Sequence, residues 1–138
     1  MSAMEASYAV VCSYLGLTSR DLAEIGDFSE RFARDLLAGR RPFPKDVQTK
    51  LLELRRYVAM IHEAMYRDVV SGDTTIYIYR TNQQLRRSPV GQVWPNAYLG
   101  PYRVAAFEVM ERCIRENRRI FLVFAETPTV AGEHDASP

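Results

Sequence analysis

Between Leu17 and Lys45 the chain interleaves six basic side chains, Arg20, Arg31, Arg34, Arg40, Arg41 and Lys45, with five acidic ones, Asp21, Glu24, Asp27, Glu30 and Asp35. A guanidinium is a planar fork of donors that matches a carboxylate, a phosphate or the O6/N7 edge of guanine. Two kinds of chemistry are therefore open to this stretch. Glu30 with Arg34, and Arg31 with Asp35, stand at i,i+4 and can pair on a solvated helix face. Alternatively the same arginines reach outward to an anionic partner. Near-cancellation of charge leaves both readings in place.

Other chemistry has little footing. No Walker loop, GxGxxG, GxSxG or HExxH occurs. His62 falls inside a long helical pattern and His134 in a polar tail, neither with neighbours at metal-ligand spacing. Cys12 and Cys113 lie in apolar helical patterns without a CxxC, and read as buried small hydrophobes. The expectation is a non-enzyme with no catalytic residue, cofactor, metal or small-molecule substrate.

The elements that carry these side chains must come from one modest core. The chain has 138 residues, 47% of them hydrophobic, and a formal charge of +1. A strongly nucleic-acid-binding domain often shows a larger basic excess, so any such contact must come from local placement. No apolar run approaches the roughly 20 residues that span a bilayer. The start, "MSAMEASYAVVCSYLG", lacks a basic leader and carries Glu5, which points to a cytoplasmic protein.

Local signals are dense near the basic cluster. A first helix is expected from Ala3 to Leu15, with Gly16 as its cap. Thr18 and Asp21 form a capping-box pattern, so a second helix should run from Ser19 to Ile25. Gly26 and Asp27 open the turn, Ser29 caps a third helix from Glu30 to about Ala38, and Gly39 ends it. Two short helices joined this way have the geometry of a helix-turn-helix. Leu22, Ala23, Ile25, Phe28, Ala33, Leu36 and Leu37 would hold the pair together.

In these residues the stretch resembles the lambda-repressor/Cro (XRE) family. Leu17-Thr18, Leu22-Ala23, Phe28-Ser29, Ala33, Leu36 and Gly39 follow that family's order without a gap. Asp27 stands where the family often has Gly, Ser19 where it often has Gln, and Phe32 where a small or polar residue is usual. The resemblance implies a sequence-specific DNA-binding transcriptional regulator that puts its third helix into the major groove of double-stranded DNA. It implies base reading by Glu30, Arg31, Phe32, Arg34 and Asp35. Phosphate contact would fall to Ser19, Arg20, Arg40, Arg41 and Lys45. The alternative is a protein-interaction module that keeps the fold without DNA. A looser whole-chain likeness, of layout alone, is to small bacterial and phage regulators with a carboxy-terminal strand-helix-strand module.

Pro44 suits the first position of a long helix. Val47, Leu51, Leu54, Val58, Ile61 and Met65 then recur at spacings of 4,3,4,3,4, a heptad seam. It can pack on the protein's own helices or serve as the interface of a homodimer. Leu52 and Tyr57 add a second apolar face. "TTIYIYR", Thr74 to Arg80, and "RIFLVF", Arg119 to Phe124, read as strands, the second continuously apolar as if covered on both faces. Between them Pro101 opens a helix striped by Tyr102, Ala106, Val109, Met110 and Cys113. The strands should be parallel, with the long helix or a second protomer completing the sheet. Trp94, Tyr98 and Tyr102 are expected in the core or at an interface. The fold class expected is mainly α (α+β). Its parts are a helix-turn-helix domain at 1-43, a long connecting or dimerisation helix at 44-71, a strand-helix-strand module at 72-125 and a flexible tail at 126-138.

Overall fold

The computed structural model describes residues 3–126. It is mainly helical, with one two-stranded parallel sheet. In chain order, α1 is Ala3–Tyr14, α2 Ser19–Gly26, α3 Glu30–Leu37 and α4 Lys45–Val70. Then come β1 (Thr75–Ile78), α5 (Asn82–Arg87), α6 (Val90–Val93), α7 (Leu99–Arg115) and β2 (Phe121–Phe124). Among the described residues no helix is long and apolar enough to cross a membrane. The expected tail, beyond Glu126, lies outside the described residues.

Side-chain caps set the first boundaries. The Thr18 hydroxyl accepts from Asp21 N at 3.0 Å and the Asp21 carboxylate accepts from Thr18 N at 3.1 Å, closing the capping box. Ser29 accepts from Phe32 N in the same way for α3. The turn differs from expectation. Gly26 is still helical, and Asp27 takes the left-handed conformation at φ 58°. The reason is steric: a Cβ on Gly26 would come within 2.0 Å of the Phe28 ring. Glycine is needed there for packing, and the left-handed residue moves to Asp27, a type that tolerates it. Pro44 stands one position earlier than expected, as the cap of α4, with its carbonyl accepting from Gln48 N.

Two buried clusters make up the core of the described residues, a large one and a small one beneath the sheet. Cys12, Leu22, Leu36, Leu51, Trp94 and Ala105 belong to one buried cluster that runs from α1 to α7. The heptad seam explains why. Val47, Leu51, Leu54, Val58 and Ile61 are buried within the chain and Met65 is half-buried, because α4 packs along α7 and also meets α1 and α2. As a dimer interface the seam is therefore corrected: its apolar area is already removed from water. Leu52, on the opposite face, stays exposed, while Tyr57 stacks on Trp94 at 5.2 Å.

The sheet pairs β1 with β2 in parallel register, Thr75 with Phe121 and Ile78 with Phe124. Ile76 is buried with Val69, Ala106, Val109 and Cys113. The expectation that the second strand is covered on both faces fails. Phe121, Leu122, Val123 and Phe124 are 52%, 36%, 44% and 47% exposed. The long helix reaches β1 through Val69 and stops there, leaving β2 as an open outer strand. The short helices α5 and α6 occupy a stretch without strong periodicity. Thr81 caps α5, its hydroxyl accepting from Gln84 N at 3.0 Å.

Candidate functional site

The basic cluster is carried by α2, α3 and the loop before α4. Leu22, Ala23, Ala33 and Leu36 are buried and hold α2 against α3. Small residues at 23 and 33 let the two backbones approach. Arg31 and Arg34 are left exposed on α3, and Arg20 on the first turn of α2. Among the described residues Arg20, Arg31 and Lys45 have no ion-pair partner.

The acids are distributed less evenly than the sequence implies. Asp21 is buried, and its Oδ1 accepts from the Asn82 side chain at 3.0 Å. Glu24 accepts from the Tyr98 hydroxyl at 3.3 Å and lies 3.7 Å from Arg86. Burial first, then the Glu24 charge, raises the Tyr98 pKa above its ordinary value. Two of the five carboxylates are thus engaged with α5 and the start of α7.

One expected pairing needs correction. Arg31 does not pair with Asp35. Asp35 instead takes Arg40 at 3.2 Å and Arg41 at 3.7 Å. Both expected phosphate-binding arginines are therefore held by a carboxylate of α3. The pairs are mostly exposed, so each holds by little and can be exchanged for another anion. The expected i,i+4 pair of Glu30 and Arg34 does form, loosely, at 3.8 Å. Phe32 is half-buried: its ring meets Phe28 edge-on at 4.8 Å, with the Arg41 guanidinium 5.5 Å from its centroid. The ring packs the turn with part of its surface left open. Ser19 is half-buried at the start of α2.

Sequence reasoning missed the groups that anchor this surface. Lys50 Nζ donates to the Ile25 carbonyl at 2.9 Å and so caps the end of α2 from α4. Asn82 receives nothing from its neighbours that marks it as a tether. It bonds Asp21 on one side and accepts from Leu99 N at 2.8 Å on the other. Both contacts cross long sequence separations, where no local pattern points.

His62 is less isolated than its sequence context implied. Its Nδ1 lies 3.3 Å from Glu108 and its Nε2 3.4 Å from Arg112. The ring knits α4 to α7. Among the described residues no group of three His, Cys, Asp or Glu could hold a metal ion. No protein-family model matches the chain, and no curated protein matches it as a relative.

Proposed function

We propose that the protein is a DNA-binding transcriptional regulator in which α2 and α3 act as a helix-turn-helix. The observation that carries this reading is the exposed pair Arg31 and Arg34 on the first two turns of α3, with Arg31 free of any ion pair among the described residues. Arg20 and Lys45, exposed and without an ion-pair partner among the described residues, add two more cations to this face. Arg31 and Arg34 are assigned base reading, and Arg20, Arg40 and Arg41 phosphate contact. On this reading the protein does no catalysis and acts as a homodimer on two half-sites.

A second reading is a protein-interaction module, favoured by the Asp35 carboxylate that holds Arg40 and Arg41. The two are separated by binding assays on duplexes selected from a random pool. Arg31→Ala or Arg34→Ala should cost about 1–3 kcal/mol and relax preference at one base position. The double variant Arg40→Ala/Arg41→Ala should weaken all duplexes alike and flatten the salt dependence. A wild-type protein that binds no selected duplex more tightly than random DNA at physiological salt leaves the interaction module in its place.

A further inference from the structure

The sheet has two edges, and they are unlike. On the β1 side, the Tyr102 hydroxyl donates to Tyr77 O at 2.6 Å and Arg103 donates to Tyr79 O at 3.0 Å. That edge is closed by side chains of α7. On the β2 side, Phe121 N donates to Thr74 O and Ala125 N to Ile78 O. Alternate residues of a parallel ladder face the neighbour, so Leu122 and Phe124 turn their N–H and C=O groups away from β1. Among the described residues nothing bonds them.

The open edge is also apolar. All four β2 side chains are a third or more exposed, on both faces. On α7, Phe107, Met110 and Ile114 lie at i, i+3 and i+7, next to the Ala106 and Cys113 face that supports the sheet. Phe107 and Ile114 are 51% and 61% exposed. Counting on the order of 100 Å² for each half-exposed large side chain, this patch offers roughly 500 Å² per protomer. That is in the upper part of the range for a monomer's largest apolar patch, and more than half of the roughly 800 Å² per partner of a stable interface.

We propose that this edge is where a second copy of the chain docks, with β2 pairing antiparallel to its counterpart about a two-fold axis at Val123. The proposal gives the homodimer expected above its surface, and it does not depend on DNA binding. Charge selects both the partner and the direction. Arg118 and Arg119 precede β2 and Glu126 follows it; Arg119 and Glu126 have no ion-pair partner among the described residues. Antiparallel pairing about Val123 sets Ile120 of each copy opposite Glu126 of the other, so the basic end of each β2, Arg118 and Arg119, lies against the acidic end of its partner. Parallel pairing would stack arginines on arginines. The same register sets Leu122 against Phe124 and Val123 against itself, as a non-hydrogen-bonded pair with Cα atoms about 4.5 Å apart. The result is a four-stranded sheet with β1 outermost at both ends. Because the β1 edge is closed, assembly stops at two copies rather than running on as a fibre.

Light scattering on the full chain at tens of micromolar is expected to give twice 15.8 kDa. Oxidised Val123→Cys is expected to run as a covalent dimer, since that Cα spacing admits a disulfide. Leu122→Cys, two residues out of register with itself, should cross-link far less. Cys12 and Cys113 are fully buried, so wild type is the control. Arg119→Glu, at the rim, should raise the dimer dissociation constant about tenfold, and Arg119→Glu/Glu126→Arg should restore it. A monomeric wild type overturns both this surface and the homodimer. A dimer that neither cross-links at Val123 nor loosens with Arg119→Glu overturns the surface alone. DNA binding, measured separately, bears on neither outcome.

Discussion

Asn82 donates its side-chain N–H to Asp21 Oδ1 at 3.0 Å, across 61 residues of chain. The other oxygen of that carboxylate caps α2. One buried acid thus caps the start of a helix and fastens the carboxy-terminal segment to it. Asp21→Ala is expected to remove a capping interaction of about 1 kcal/mol and to strand a partly buried amide at a further ~1–3 kcal/mol. Urea midpoints at unchanged slope would measure it. A loss under 1 kcal/mol would mean that Asn82 finds water or another partner.

Gly16 and Gly100 make the companion contact between α1 and α7. Gly16 sits at φ 65°, and a Cβ on Gly100 would come within 2.4 Å of the Gly16 carbonyl oxygen. The clash is with backbone, which cannot swing aside. Gly100→Ala is expected to destabilise by at least the ~1–3 kcal/mol of an overpacked core. Thermal melts by circular dichroism would show it, and an unchanged midpoint would refute the close approach.

The shared core has a consequence for unfolding. Trp94 is buried against Tyr57 of α4, in the same cluster as Leu22 and Leu36 of α2 and α3. Trp94 fluorescence and far-ultraviolet circular dichroism are expected to report one coincident transition. Two separated transitions would show that the amino-terminal helices and the Trp94 region unfold as separate units.

Asp35 restrains Arg40 and Arg41. Asp35→Asn should release both cations while keeping the side-chain shape. Affinity for random duplex is then expected to rise, and its salt dependence to steepen by about one counterion. Unchanged affinity would remove Arg40 and Arg41 from the DNA surface.

Burial pushes the Cys12 thiol up to about 11 from an ordinary value of 9.0. Its folded pKa is the higher one, so the neutral thiol contributes stability that is full below about pH 9. That contribution falls as pH rises toward 11, because the unfolded chain releases a proton that the folded one keeps. Urea midpoints of wild type are therefore expected to decline faster than those of Cys12→Ala above pH 9. Parallel curves would place the thiol in contact with water.

Residues within one turn of each other wrote much of this structure legibly. Thr18 with Asp21, Ser29, Gly39 and the heptad of α4 announce helix ends and faces, because caps and periodicity act over three to seven residues. The parallel pairing of the two strands was also legible, since a helix between them demands it. What the heptad faces was not. An apolar stripe records that it must be buried and carries no record of the partner, and here α7 supplies it from within the chain. The same holds for charge. The composition of residues 17–45 nearly cancels, yet folding buries Asp21, engages Glu24 and turns Asp35 onto Arg40 and Arg41, through contacts that link distant or reordered positions. The continuous apolarity of β2 reads as burial, but the tertiary structure leaves it open, because α4 ends at β1 and, among the described residues, no element pairs with the far edge of β2. Sequence determines which surfaces need a neighbour, since transfer from water is a property of each side chain. The neighbour itself is decided only when distant segments meet, because that choice rests on shape and distance between residues that share no local pattern.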